Sequence, residues 1–120
     1  MPRRWLVDGM NVIGSRPDGW WRDRAAAMRK LVAALERFAG ATGDEVAVVL
    51  DGRPIELGEA SSVTVLFALH ADDAIAARTG EDTEPAALTV VTSDRDLAAR
   101  VRARGARVTG ASGFRRRLER

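Results

Sequence analysis

Residues 3–14 read Arg3-Arg4-Trp5-Leu6-Val7-Asp8-Gly9-Met10-Asn11-Val12-Ile13-Gly14. A short apolar run in this stretch ends at the carboxylate of Asp8, and Gly9 lets the chain turn sharply before the amide side chain of Asn11. Such a run is typical of a β-strand that ends in a polar residue. We therefore expect a strand that delivers Asp8 to one edge of a sheet.

Two later runs repeat this pattern. Residues 46–50 end at Asp51-Gly52, and residues 88–92 end just before Ser93-Asp94-Arg95-Asp96. In an open parallel sheet, ligands bind outside the carboxyl ends of the strands, because the loops there surround one crevice. We therefore expect the aspartates that follow these strands to lie in one neighbourhood.

The composition limits the class of protein. With 120 residues, of which 46% are apolar, the chain has enough apolar material for one modest core, and we expect a single domain over residues 1–120. It contains no cysteine, which fits a reducing compartment. No apolar run reaches the roughly 18 residues that a membrane span needs, and the N-terminus lacks a signal-peptide pattern. We therefore expect a cytoplasmic protein that does not associate with membranes.

Strand and helix patterns alternate along the chain. Apolar residues recur every three or four positions from Trp21 to Ala39, which predicts a helix that ends at Gly40. Three more helices are predicted: one that opens at Asp72-Asp73, one over Asp94–Arg104, and one over Phe114–Arg120 with Ser112 as its cap. Later strands are expected at residues 45–50, 63–68, 88–92 and 106–109. This alternation predicts a three-layer α/β/α domain with a mostly parallel, five-stranded sheet.

Trp20 and Trp21 stand before the first long helix. Exposed aromatic rings stack on bases in proteins that bind single-stranded nucleic acids. We expect the pair to pack on the core instead, because each ring buries a large apolar area.

The basic residues are unevenly distributed. Eighteen of the nineteen are arginines, and residues 95–120 contain nine of them against two acidic residues. This asymmetry is expected of a protein with a polyanionic partner, since arginine offers phosphates a planar fork of donors. Solvated helix faces are the ordinary alternative, and the charge pattern alone leaves both open.

The acidic residues suggest metal chemistry. Asp8, Asp94, Asp96 and one of Asp72 or Asp73 are expected at the same end of the sheet, where like charges raise one another's proton affinity. A divalent cation would relieve that repulsion, and oxygen ligands favour Mg²⁺ or Mn²⁺. Such ions support phosphodiester hydrolysis. For the acidic pair alone, capping of the helix is the ordinary interpretation. We expect a structural role for His70.

Three segments resemble a known family. They are Val7-Asp8-Gly9-Met10-Asn11-Val12-Ile13, Ala71-Asp72-Asp73-Ala74-Ile75 and Val91-Thr92-Ser93-Asp94-Arg95-Asp96-Leu97. In content, order and spacing they are similar to the motifs of the NYN domains, a branch of the PIN-like ribonucleases, and most similar to the YacP-like group. The resemblance covers essentially all of the chain, and the first and third segments together are its most specific part.

The resemblance implies a metal-dependent endoribonuclease with strand order 3-2-1-4-5, which hydrolyses RNA at an acidic pocket for one or two Mg²⁺ or Mn²⁺ ions. By motif, the site residues are Asp8 and Asp94 as principal metal ligands, Asp72 at the start of the middle helix, and Asp96 as the outer ligand of a second metal position. Supporting positions are Asn11, which would place the Asp8 loop or the scissile phosphate, Ser93 beside it, Asp73 as a second acidic position, and Asp51 in a substrate-facing or structural role.

Two features depart from the family pattern. The chain is shorter than the YacP-like proteins, and Asp96 follows Asp94 by only two positions, which leaves a second metal ion open. Arginines are expected to flank the pocket and hold the backbone of a single-stranded RNA without reading its sequence. They are Arg95, Arg100, Arg102 and Arg104. The oligomeric state is open, a homodimer included.

Three alternatives compete with this interpretation. Toprim domains share a paired-aspartate strand end, but they begin with a glutamate where this chain has Asp8. Receiver domains share the layered fold but use a lysine on a late strand, whereas Lys30 falls on the first long helix. The third alternative is an RNA-binding module on the same fold that cleaves weakly or not at all. Such a module would bind RNA in excess chelator.

Overall fold

The computed structural model describes residues 2–120. Five strands form one sheet: β1 Arg4–Asp8, β2 Glu45–Asp51, β3 Val63–Ala68, β4 Leu88–Val91 and β5 Arg107–Thr109. Five α-helices cover it: α1 Gly9–Ile13, α2 Arg24–Thr42, α3 Ala71–Glu81, α4 Arg95–Ala103 and α5 Ala111–Leu118. The strand order is β3-β2-β1-β4-β5, and every pair is parallel. The α/β fold and the order 3-2-1-4-5 are confirmed.

The central strand β1 explains the layering. Its residues from Trp5 to Asp8 are all buried, and Val7 lies opposite Val48 of β2 and Val91 of β4. Because successive side chains of a strand point to opposite faces, β1 contributes to two cores. Trp5 packs on the side of α2 and α5, whereas Leu6 packs on the side of α3 and α4. The sheet is therefore the middle layer of three.

An aromatic cluster closes the first core. The ring centroid of Trp5 lies 5.7 Å from that of Phe38 in α2 and 5.2 Å from that of Phe114 in α5. The indole N–H of Trp5 donates to a carboxylate oxygen of Asp44 at 2.9 Å. The cluster holds α5, the last helix, against the first strand and the longest helix.

Two predicted helix bounds are wrong. Helix α2 passes through Gly40 and ends before Gly43, whose φ of +73° is the left-handed conformation that glycine adopts most easily. Helix α5 begins at Ala111 rather than after a Ser112 cap, because the N–H of Ala111 donates to the hydroxyl oxygen of Ser93 at 2.8 Å. The side chain of Ser93, in the loop after β4, thus supplies the acceptor for the first N–H of α5.

The two tryptophans have different environments. Trp20 is half-buried and packs against the first core, as expected, but Trp21 is 52% exposed. Both lie in the 3₁₀ turn Trp20–Arg22, where successive side chains are rotated by about 120°. Only one of the two rings can therefore face the core.

Within residues 2–120, no helix has the length and apolar character needed to cross a membrane.

Candidate active site

A pocket of about 270 Å³ lies at the carboxyl edge of the sheet. Its walls come from the ends of β1 and β2 and the starts of α3 and α4. The lining residues are Asp8, Met10, Asn11, Asp51, Ala71, Asp72 and Asp94. Four of these seven are aspartates, and in the described chain no lysine, arginine or histidine lines the pocket. The pocket is therefore strongly negative.

Asp8 is the most enclosed of these carboxylates. It is the last residue of β1 and is 8% exposed. Its Oδ2 accepts a hydrogen bond of 2.9 Å from the hydroxyl of Thr92, the residue after β4. This bond joins the ends of two neighbouring strands and holds the Asp8 side chain in place.

The environment of Asp8 makes its charge costly. Burial raises the pKa of the Asp8 carboxyl from 3.8 to about 6. The Thr92 hydroxyl and the nearby Asn11 N–H oppose that rise in pKa, while the charges of Asp51 and Asp94 add to it. Asp8 is thus a carboxylate that would gain from a cation in the pocket.

Asp94 is held by its own helix. Its Oδ1 accepts the N–H groups of Asp96 at 2.9 Å and Leu97 at 3.1 Å, so that it is the N-cap of α4. Its backbone N–H donates to the Thr92 hydroxyl at 3.1 Å. The two capping bonds use only Oδ1, and Oδ2 remains for a ligand.

Asn11 and Ser93 connect the loops around the pocket. The side-chain oxygen of Asn11 accepts the backbone N–H of Ser93 at 2.7 Å. The Ser93 hydroxyl in turn accepts the N–H of Ala111, at the start of α5. Asn11 therefore fixes the loop that carries Asp94, and Ser93 fixes that loop to the last helix.

Asp51 and Asp72 complete the acidic lining. Oδ1 of Asp51 accepts the backbone N–H of Ala71 at 3.0 Å, and Asp51 thus caps α3 from the end of a neighbouring strand. The acidic pair lies in the first turn of α3, where Oδ1 of Asp72 accepts the backbone N–H of Asp73 at 2.9 Å, as expected of an acidic residue at a helix start. The N-cap residue itself is His70, which gives no side-chain bond. Asp72 is exposed and also lines the pocket.

Two predicted acidic residues lie outside the pocket. The carboxylate of Asp73 forms an ion pair with Arg100 at 2.9 Å. Asp96 does not line the pocket: it lies in the first turn of α4, whereas Asp94 is the extended N-cap residue before that helix. Of the alternatives Asp72 and Asp73, Asp72 therefore lines the pocket, whereas the geometry does not place Asp96 there as expected.

The four arginines predicted to bind RNA lie in different places. Arg95 and Arg102 line a cleft of about 500 Å³ beside the acidic pocket. Arg100 is occupied by Asp73, and Arg104 lies over Gly80 near the end of α3. Neither Arg100 nor Arg104 lines the acidic pocket or this cleft.

The close packing around Gly9 is a feature that the sequence interpretation missed. Instead of a sharp turn, Gly9 begins α1 directly after Asp8, and its φ is not positive. A Cβ at this position would lie 2.5 Å from Cδ2 of Leu50 and 3.0 Å from the carbonyl oxygen of Val49. Gly9 therefore allows α1 to pack closely against β2. Thr92 was also missed, since a threonine in a β-rich run is expected for its strand propensity alone.

The direct metal-binding capacity of the pocket is limited. Among residues 2–120, no three aspartate, glutamate or histidine side chains form a group that could hold a metal ion by themselves. The carboxylates of Asp8, Asp72 and Asp94 are nevertheless oxygen donors around one cavity without a basic side chain. An ion there would complete its coordination with water or with a bound phosphate, as Mg²⁺ commonly does.

The parallel sheet of order 3-2-1-4-5, with acidic side chains at its carboxyl edge, defines a class of protein: the PIN-like, ribonuclease-type fold. The chain belongs to the family described as the YacP-like NYN domain, which matches residues 5–120.

Two solved structures agree with this assignment. The crystal structure of the W164L mutant of Rae1 (YacP) from Bacillus subtilis superposes with a TM-score of 0.80 at 27% identity, over 99% of this chain and 76% of that one. A crystal structure of Rae1 (YacP) from the same organism gives a TM-score of 0.79 at 26% identity, over 96% and 72% of the two chains. A search of curated proteins gave no match.

Proposed function

We propose that this domain is an endoribonuclease that hydrolyses phosphodiester bonds of single-stranded RNA at the acidic pocket, with Mg²⁺ or Mn²⁺ as its cofactor. The observation that carries the proposal is the cluster of aspartates around one cavity that has no basic side chain in the described chain. Membership of a family with a ribonuclease-type fold supports it.

The carboxylates around the pocket suit one divalent ion whose coordination is completed by water or a bound phosphate. Asp8, Asp72 and Asp94 would hold the ion, since they line the pocket from three different elements. Asp96 and Asp73 are not part of this proposed set. A bound Mg²⁺ or Mn²⁺ would supply activation of water and stabilisation of charge on the phosphate.

The protein's own residues fix the metal-binding carboxylates in place before the substrate binds. The Thr92 hydroxyl holds Asp8, and the first turn of α4 holds Asp94. Asn11 keeps the loop between them in place. Carboxylates fixed in this way need no reorganisation during the reaction, and such preorganisation is the usual basis of electrostatic catalysis.

Single-stranded RNA suits this pocket. Its backbone is flexible enough to bend and to place one phosphate inside a small cavity, which the rigid backbone of a duplex cannot do. We expect the enzyme to act in the cytoplasm, where a chain without cysteine needs no oxidising environment.

The test is cleavage of a labelled single-stranded RNA in Mn²⁺ by purified wild-type protein and two neighbouring variants. Asp72→Asn removes a carboxylate that lines the pocket, and Asp73→Asn removes one that pairs with Arg100 instead. We expect the first to lose about 100-fold or more in rate, as loss of a group that stabilises transition-state charge typically does, and the second to lose little. Asp94→Asn and a chelator should each abolish cleavage.

Equal activity in Asp72→Asn and wild type would refute the proposed site. RNA binding without cleavage, in the presence and absence of chelator, would identify an RNA-binding module on this fold.

A further inference from the structure

Two arginines of α4 share one face of the helix. Arg95 and Arg102 are seven residues apart, which is about two turns and roughly 10 Å along the axis. Both side chains are exposed, and Ala98 lies between them on the same face. Within residues 2–120, neither arginine takes part in an ion pair. Their guanidinium groups are therefore available to an external anion.

These two arginines line the same open cleft. The cleft of about 500 Å³ runs between α4 and the segment from β5 to Gly110. Its remaining walls are small or uncharged: Thr92, Ser93, Ala98, Val108 and Gly110. In the described chain no carboxylate lines the cleft, so nothing competes with an anion for the two guanidinium groups.

The cleft and the acidic pocket are separate cavities built on the same loop, residues 92–94. Thr92 and Ser93 line the cleft, and the same two residues bond to Asp8 and Asn11 of the pocket. The acidic pocket and the basic cleft are thus separated by the thickness of one loop. A chain of linked phosphates is the ligand that could occupy both at once.

We propose that this cleft binds the RNA backbone to one side of the scissile phosphate, with Arg95 and Arg102 contacting two further phosphates. The inference rests on the proposed function, because the scissile phosphate is placed in the acidic pocket. Arginine binds phosphate through a planar fork of donors, and contacts to phosphate position the strand without reading its sequence.

The same helix provides a matched control. Arg100 is held by Asp73, and Arg104 lies over Gly80 away from the cleft. The double variants R95A/R102A and R100A/R104A therefore lose the same charge from the same helix. The change in net charge is equal in the two; R95A/R102A removes the basic groups of the cleft, whereas R100A/R104A leaves the cleft intact and releases Asp73 from its ion pair.

The test is binding of a fluorescent single-stranded RNA to full-length protein in excess chelator, over a series of salt concentrations. We expect R95A/R102A to bind about tenfold more weakly or worse. The slope of log K against log salt should fall by about 1.4, since each phosphate contact on a single strand contributes about 0.7. R100A/R104A should stay within about twofold of wild type, and circular dichroism at each salt concentration verifies folding.

Equal losses in the two double variants, or no RNA binding by wild type, would overturn the inference. If R95A/R102A fails to fold, the single variants R95Q and R102Q replace it, and each should reduce the slope by about 0.7. Because binding is measured without metal, the cleft can be supported even if the protein does not cleave RNA. Normal cleavage by R95A/R102A at low substrate would instead retain the nuclease and reject the cleft.

Discussion

Asp8 is in an environment that disfavours its own charge. It is 8% exposed, and burial raises the pKa of its carboxyl from 3.8 to about 6. The folded protein therefore holds this proton more tightly than the unfolded chain does. A group of this kind lowers the free energy of unfolding at neutral pH, which is the cost of keeping a carboxylate ready for a cation.

We predict that this cost is visible in the pH dependence of stability without metal. Between pH 3.8 and about 6, Asp8 binds more protons in the folded state than in the unfolded state. The contribution of Asp8 to the free energy of unfolding therefore falls as the pH rises through that window. Two units of pKa correspond to about 3 kcal/mol as an upper value. Asp8→Asn should therefore be more stable than wild type at pH 8, by about 1 to 3 kcal/mol, and similar at pH 4.

Urea unfolding in chelator at the two pH values measures this difference. Asp18 and Asp82, whose pKa values are lowered by Arg115 and Arg4, lie outside the pocket, and their contributions are the same in both proteins and cancel. A difference in stability that does not change with pH would contradict the prediction. Added Mg²⁺ should stabilise wild type at pH 8 and have less effect on the variant.

The sequence predicted part of this site because of where its residues stand relative to strand ends. Asp8 is the last residue of β1 and Asp94 stands three positions after β4, so the parallel sheet brings them together. Asp96 could not be excluded without the orientation of α4, and Thr92 could not be recognised without its bond to Asp8. Position along the chain was enough to predict the carboxylates at strand ends. It was not enough for side chains whose direction is set by the orientation of a helix.

Helices α1 and α2 each contain a glycine, at Gly9 and Gly40, with opposite surroundings. A Cβ on Gly9 would collide with β2, whereas a Cβ on Gly40 would meet nothing within 4 Å. The sequence did not distinguish them, since glycine next to an apolar run indicates a turn or a helix end in either case. Gly43 ends α2 instead, because it adopts the left-handed conformation.

We predict opposite effects of the same substitution at the two positions. Gly9→Ala should destabilise the fold by about 1 to 3 kcal/mol, the usual cost of overpacking. Gly40→Ala should stabilise it by about 0.5 to 1 kcal/mol, because alanine is the better residue inside a helix. Chemical denaturation of both variants provides the comparison. Tolerance of alanine at Gly9 would mean that α1 does not need its close approach to Leu50.

The molecule as a whole depends on its last helix. Phe114 is fully buried and its ring lies 5.4 Å from that of Phe38, which itself contacts Trp5 of the first strand. The three-layer arrangement was predictable from alternating strands and helices. The packing of α5 into the core was not predictable, since residues 115–117 are all arginines and indicate a solvated basic segment.

We predict that Phe114→Ala lowers the free energy of unfolding by about 3 to 5 kcal/mol, through lost burial and the cavity it leaves. Leu69, which is 72% exposed, provides the control, and Leu69→Ala should change stability by less than about 0.5 kcal/mol. Thermal and urea unfolding followed by circular dichroism measure both. If Phe114→Ala does not fold, Phe114→Leu should show a smaller loss in the same direction. Equal stability of the Phe114 and Leu69 variants would show that α5 is dispensable.

The central position of β1 also bears on folding. The carboxylate of Asp8 is held by Thr92, which lies 84 positions further along the chain. The loop that carries Thr92 is in turn fixed through Ser93 to Ala111, and α5 follows it into the core. Contacts between segments so distant in sequence form slowly, because the intervening chain must first be ordered. We therefore expect the pocket to form only when the sheet and α5 are already in place.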